Sequence, residues 1–203
     1  PEFDPNKLSE IWEKQEIIDK LSPILESYYL WIEKNESSLN HVSNGERKYE
    51  IIKNLIKKQK IAANRIKTGI EIIKNDKISR LAFCFANKVI SLSNSWKNVS
   101  FPWRPFQLTF FIMNIESLRN YESEFRDIVD LLWIPTGGGK TEAYLAIMAF
   151  SFALRRLTSK GKIDNFGDGV AILSRYTLRL LTVQQFRRTL RMVTAADMLR
   201  IMK

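Results

Sequence analysis

The run Ile134-Pro135-Thr136-Gly137-Gly138-Gly139-Lys140-Thr141 holds the residue types that cradle a phosphate chain. Glycines let successive backbone N–H groups turn inward around an anion, where a Cβ would clash or forbid positive φ. Lys140 can reach the β- and γ-phosphates of a nucleotide, and the Thr141 hydroxyl can ligate the accompanying Mg²⁺. These two are the catalytic candidates, Thr141 also the metal contact. Thr136, Gly137, Gly138, Gly139 and Glu142 complete the contacts expected around the phosphates, with ATP and Mg²⁺ as cofactors. A plain glycine-rich turn is the competing reading, and the flanks argue against it. Asp130-Leu131-Leu132-Trp133-Ile134 reads as a short buried strand, and Glu142 to Leu154 as a helix rich in Ala and large apolar residues. The loop therefore opens a helix, whose N-terminal partial charge favours an anion. Strict Walker A spacing asks for glycine at position 134, where isoleucine stands. That departure points away from small-molecule kinases and GTPases and leaves the cradle intact.

Two further stretches carry related chemistry. Arg104-Pro105-Phe106-Gln107 lies upstream, with Gln107 32 positions before Gly139. A glutamine amide offers one donor and one acceptor, the complement of adenine N7 and N6. Phe106 can pack on the base, so Arg104, Phe106 and Gln107 join the expected ATP contacts; the alternative is a helix start after proline. Ser174 to Gln185 follows a second apolar run, Val170-Ala171-Ile172-Leu173. Its Arg175, Thr177, Arg179, Thr182 and Gln184 suit contacts to a nucleic-acid backbone, which position a strand without reading its sequence. Arg187, Arg188 and Arg191 continue that basic surface. An ordinary amphipathic basic helix would look similar.

The Pro-Thr-Gly-x-Gly-Lys-Thr core resembles motif I of superfamily 2 helicases and translocases, and Ser174 to Gln185 takes the place of their motif Ia. An Arg-Pro-aromatic-Gln stretch about one helix upstream of motif I occurs in many of them. With their flanks, Phe101 to Leu108, Val129 to Leu145 and Arg175 to Gln185 resemble one family, the large helicase subunit (DrmA) of DISARM anti-phage defence systems. The Gly69 to Ser91 stretch is similar to the helical region before that family's motor. The resemblance spans roughly Arg65 to Met192, and the first 60 or so residues match nothing we would name. It implies an ATP-driven DNA helicase or translocase in anti-phage defence, with RecA-like lobes. It further implies DNA, the remaining lobes of the same protein and defence-system subunits as partners. No Asp-Glu-x-x motif II follows, and no second lobe with its arginine finger, a group worth ~10³–10⁵ in rate in related phosphoryl transfer. This stretch alone is therefore not expected to hydrolyse ATP efficiently.

The elements that must position these residues fall into two groups. From Asn6 to about Ser95 the pattern is helical, with only Gly45 and Gly69 as glycines. Ser9 to Lys20 and Leu21 to Lys34 read as two helices, the second entered at Ser22-Pro23, where proline suits a first turn. Glu46 to Lys74 is the longest helix, with Ile52, Leu55, Ala62, Ile66, Ile70 and Ile73 as its apolar stripe. Lys53, Lys57, Lys60 and Lys67 lie beside it, more readily a solvated face than a nucleic-acid surface. Ile78 to Ser91, Phe106 to about Asn120 and Tyr176 to Met198 are further helices. Helix, strand, loop, helix, strand, helix is the opening of a doubly wound α/β domain with a parallel sheet, left incomplete with two strands. The expected architecture is α/β: a helical amino-terminal domain (1–95), a linker (96–105) and a partial RecA-like domain (106–203).

Composition narrows the partners. A formal net charge of +10 is compatible with nucleic acid, an anionic membrane surface or no polyanionic partner at all. One cysteine, Cys84, and one histidine, His41, exclude an internal disulfide and a His/Cys metal cluster; Cys84 reads as a small core residue and His41 as a surface residue. No stretch approaches the ~18 apolar residues of a membrane span, and no signal peptide opens the chain, so a cytoplasmic location without a membrane partner is expected. The chain begins Pro1-Glu2-Phe3 and stops at Lys203, and reads as an amino-terminal fragment. Two other function classes stay open: a P-loop nucleotide or small-molecule kinase with a helical extension, and an ATP-switched protein-interaction module.

Overall fold

Capping and burial decide where the helices start and which faces they hide. The computed structural model describes residues 3–39, 41, 47–98, 101–135, 137–159, 167, 169–176 and 180–202, and only the backbone of 180–182. Among these residues lie α1 (Pro5–Leu8), α2 (Lys14–Leu39), α3 (Arg47–Asn75), α4 (Lys77–Ser95), α5 (Pro105–Met113), α6 (Ile115–Arg119), α7 (Lys140–Ser159) and α8 (Leu180–Ile201). Asp76 separates α3 from α4: its carboxylate accepts from the Ile78 N–H at 3.2 Å, the Ser79 hydroxyl at 2.7 Å and Arg119 Nε at 2.6 Å. Burial opposes ionisation of Asp76, but the bonds from Arg119, Ser79 and Ile78 outweigh it and hold the carboxyl below its usual range.

The core is centred on three phenylalanines from three helices. Phe83 on α4 stacks on Phe111 of α5 with centroids 5.4 Å apart, and Phe111 meets Phe150 of α7 edge to face at 5.7 Å. All three are fully buried. Gly69 lets α3 approach α5, because a Cβ there would stand 2.2 Å from the Ile112 carbonyl oxygen. Trp103 is anchored twice, its indole N–H donating to Asn87 Oδ1 at 2.8 Å and its backbone N–H to Phe3 O at 2.7 Å. Cys84 is a buried core residue, its thiol donating to the Ile11 carbonyl at 3.1 Å and pushed up to about 11 by burial.

The helices depart from the sequence reading in register and number. Residues 14–39 form one helix, not two, and Pro23 sits inside it. Ile17, Leu21 and Ile24 bury one face through that point, so packing overrides the lost N–H. On α3 the buried apolar side chains are Ile56, Ala63, Ile66, Ile70 and Ile73, whereas Leu55 is half exposed. Lys53, Lys57, Lys60 and Lys67 are solvated. The helix expected over 106–120 breaks at Asn114 into α5 and α6.

The expected α/β architecture is overturned. Among the described residues there is no strand and no sheet, only an isolated antiparallel bridge between Phe3 and Trp103. Residues 128–135 and 170–176 belong to no helix and take part in no described β-pairing. The period-2 pattern of a strand is present in the first: Val129, Leu131 and Trp133 are 92%, 77% and 85% exposed, while Asp130, Leu132 and Ile134 are half buried. The ladder is not. A strand exists through its partner's N–H and C=O groups, and a run of apolar residues cannot supply them. The described residues form an all-helical structure, not a RecA-like sheet. No helix among them is long and apolar enough to cross a membrane.

Candidate nucleotide loop and basic helix

The loop owes its shape to its glycines and to two side chains at the start of α5, Gln107 within it and Arg104 at its cap. Gly137 and Gly139 have φ of 81° and 94°, a region that L side chains rarely adopt. A Cβ on Gly138 would lie 2.4 Å from Ile134 Cγ2, and one on Gly139 would lie 2.7 Å from Gln107 Nε2. At Gly137 nothing stands within 4 Å of that position, so the backbone there is open to an approaching group. α7 begins at Lys140, whose ammonium curls back and donates to the carbonyls of Ile134 and, at 3.1 Å, Pro135. Thr141, the second residue of α7, is half buried, and Thr136 lies outside the described residues.

The upstream Arg-Pro-Phe-Gln stretch reaches this loop. Gln107 is buried and engaged at both ends of its amide: Oε1 accepts from the Arg104 N–H at 2.9 Å, and Nε2 donates to the Gly139 carbonyl at 2.7 Å. Arg104 Nη1 donates to the Gly138 carbonyl at 2.9 Å. Two side chains from one helix turn thus strap two consecutive loop carbonyls. Phe106 points elsewhere, into an apolar cavity of about 660 Å³ that Tyr28, Trp31, Phe110 and Leu132 also line.

A second strut was not read from the sequence. Arg65 on α3, 4% exposed, grips Asp130 with both terminal nitrogens at 2.6 and 2.7 Å, and its guanidinium lies 4.8 Å from the Phe125 ring centroid. It holds the segment that leads into the loop. The available signal was an arginine one helical turn before Gly69, where a Cβ would clash with Ile112 of α5.

Glu142, expected among the nucleotide contacts, is buried and paired with Arg188 of α8, one of the expected nucleic-acid contacts. Its other oxygen lies 4.0 Å from the Cβ position of Gly139, so the carboxylate stands between loop and α8. Lys97, in the turn after α4, donates to Asn94 Oδ1 at 3.1 Å. Burial lowers the Lys97 pKa, and the neighbouring Arg191 and Arg188 cations lower it further, while Glu142 acts in the opposite sense. Lys97, Glu142, Arg188 and Arg191 border one cleft of about 10 Å³, roughly the space of a single water. Arg175, Gln184 and Arg187 are exposed; Thr177 and Arg179 lie outside the described residues, as does the Thr182 side chain. Gln185 Oε1, one turn before Arg188, is buried without a hydrogen-bond partner.

No family model matches the chain. It is 38% identical to the DISARM protein DrmA of Bacillus paralicheniformis over 214 aligned residues, which take in 96% of this chain and 19% of that protein. The chain thus spans about a fifth of the relative's length, and the likeness reaches into the first 60 residues, which the motifs had left unmatched. With the strapped loop, the motifs around it and this identity along nearly its whole length, the chain is similar to DISARM protein DrmA.

Proposed function

We propose that this chain supplies the nucleotide-binding loop of an ATP-driven DNA translocase of DISARM anti-phage defence. The observation that carries the reading is the loop itself: glycines at positive φ, a 20-residue helix opening on Lys140, and an ammonium folded over the loop carbonyls. The cradle fits a phosphate chain, since Gly137 leaves its backbone approachable while Gly138 and Gly139 tolerate no side chain. Lys140 would exchange its carbonyl contacts for phosphate oxygens, Thr141 would hold Mg²⁺, and the straps from Arg104 and Gln107 would keep the loop in shape before binding. Bound ATP supplies the phosphoanhydride whose hydrolysis drives movement. Arg175, Arg187 and the basic face of α8 would meet the DNA backbone.

The test is nucleotide binding by the complete protein. Lys140→Ala is expected to lower the affinity for a fluorescent ATP analogue at least tenfold, with an unchanged circular dichroism spectrum. A hydrogen bond to a charged group accounts for about 1.5–3 kcal/mol, which is tenfold or more. Wild-type affinity in the variant would remove the loop from the reading.

A further inference from the structure

Resting on that reading, we infer that Arg188 is a positioning residue whose pair with Glu142 makes the loop and the nucleic-acid face of α8 compete. Glu142 is the third residue of α7: one carboxylate oxygen pairs with Arg188, and the other lies 4.0 Å from where a Cβ would stand on Gly139. A single carboxylate therefore links the loop to α8.

Charge sets the sign of the coupling. Arg188 has two possible counter-charges, Glu142 and a nucleic-acid phosphate beyond α8. Turning outward leaves Glu142 as a bare carboxylate beside the loop, with its side chain 8% exposed. Next to a vacant loop that cost is moderated by Lys97 and Arg191, which border the same cleft. Next to a loaded loop Glu142 faces added negative charge across Gly139, and the outward turn becomes more costly. Two ligands that favour opposite states of one element weaken each other's binding by the same factor. One further observation bears on movement of α8. Gln185 Oε1, on α8 one turn before Arg188, is buried without a partner, a state that costs free energy and that movement of the helix would relieve.

The experiment measures the Kd of a fluorescent, non-hydrolysable ATP analogue for the full-length protein, without DNA and with a saturating random-sequence duplex. In the wild type the duplex is expected to raise that Kd about fivefold or more, within the usual range of coupling. Glu142→Gln and Arg188→Ala are each expected to bring the ratio below about twofold. Their effects on the DNA-free Kd should differ in sign, tighter or unchanged for Glu142→Gln and weaker for Arg188→Ala, with Arg188→Lys in between. Mere loss of structure would weaken nucleotide binding in both. A wild-type ratio near one, or variants that keep the wild-type ratio, would overturn the inference while leaving nucleotide binding in place. If the wild type binds no nucleotide, the underlying reading falls and the inference with it.

Discussion

Gln107 shows how a residue can be located from sequence and still be assigned by only half of its contacts. Its distance from Gly139 and its amide pointed to adenine; the structure uses both ends of that amide inside the protein, at the Arg104 N–H and the Gly139 carbonyl. Gln107→Ala is therefore expected to weaken ATP and GTP binding alike, because the lost group shapes the loop. Nucleotide titrations check this; a loss confined to ATP would mean that the amide leaves Gly139 to read the base. The glycine turn and the helix opening at Lys140 were legible because a tight turn into a helix is a local device, specified by φ, Cβ and short spacing. The Glu142–Arg188 pair was not, since its partners stand 46 residues apart and meet only through packing of α7 against α8.

At the scale of elements, helices were legible and their joints were not. Apolar steps of three and four residues located α3, and runs rich in apolar residues located α4 and α7, but burial of Ile17, Leu21 and Ile24 carries α2 through Pro23, and Asn114 divides a helix that the sequence reading leaves whole. The run at 130–134 has the apolar character of a strand and no β-partner among the described residues, since hydropathy says nothing of a partner. What fixes that run instead is Arg65, invisible to any strand rule. Its bidentate pair with Asp130, with side chains 5% and 18% exposed, makes Arg65→Ala strongly destabilising, by about 3–5 kcal/mol, because Asp130 would keep a poorly solvated charge. Urea unfolding should show it, and Arg65→Ala/Asp130→Ala should recover part of the loss. A cost within about 0.5 kcal/mol would mean that water replaces the guanidinium.

For the whole molecule, the aromatic trio joins helices from both sides of the loop: Phe83 and Phe111 precede it, and Phe150 follows it. The segment between them is tied down at Asp130 and at Gly138 and Gly139, yet Val129, Leu131 and Trp133 project outward from an unpaired backbone. Endoproteases bind their substrates extended, with side chains free to enter pockets, and local unfolding, the usual barrier to a cut, is not needed here. Dilute chymotrypsin should therefore cleave this chain early after Leu131 or Trp133. The cut would leave two polypeptides that separate on a denaturing gel yet elute together in gel filtration, because neither half can withdraw its phenylalanines from the shared core without exposing them to water. Earlier cleavage within α4 or α7, or nicked halves that elute apart, would contradict this. The same stretch that brings the chain to its glycine loop is then also its seam, a place where the covalent thread can be broken while the molecule stays in one piece.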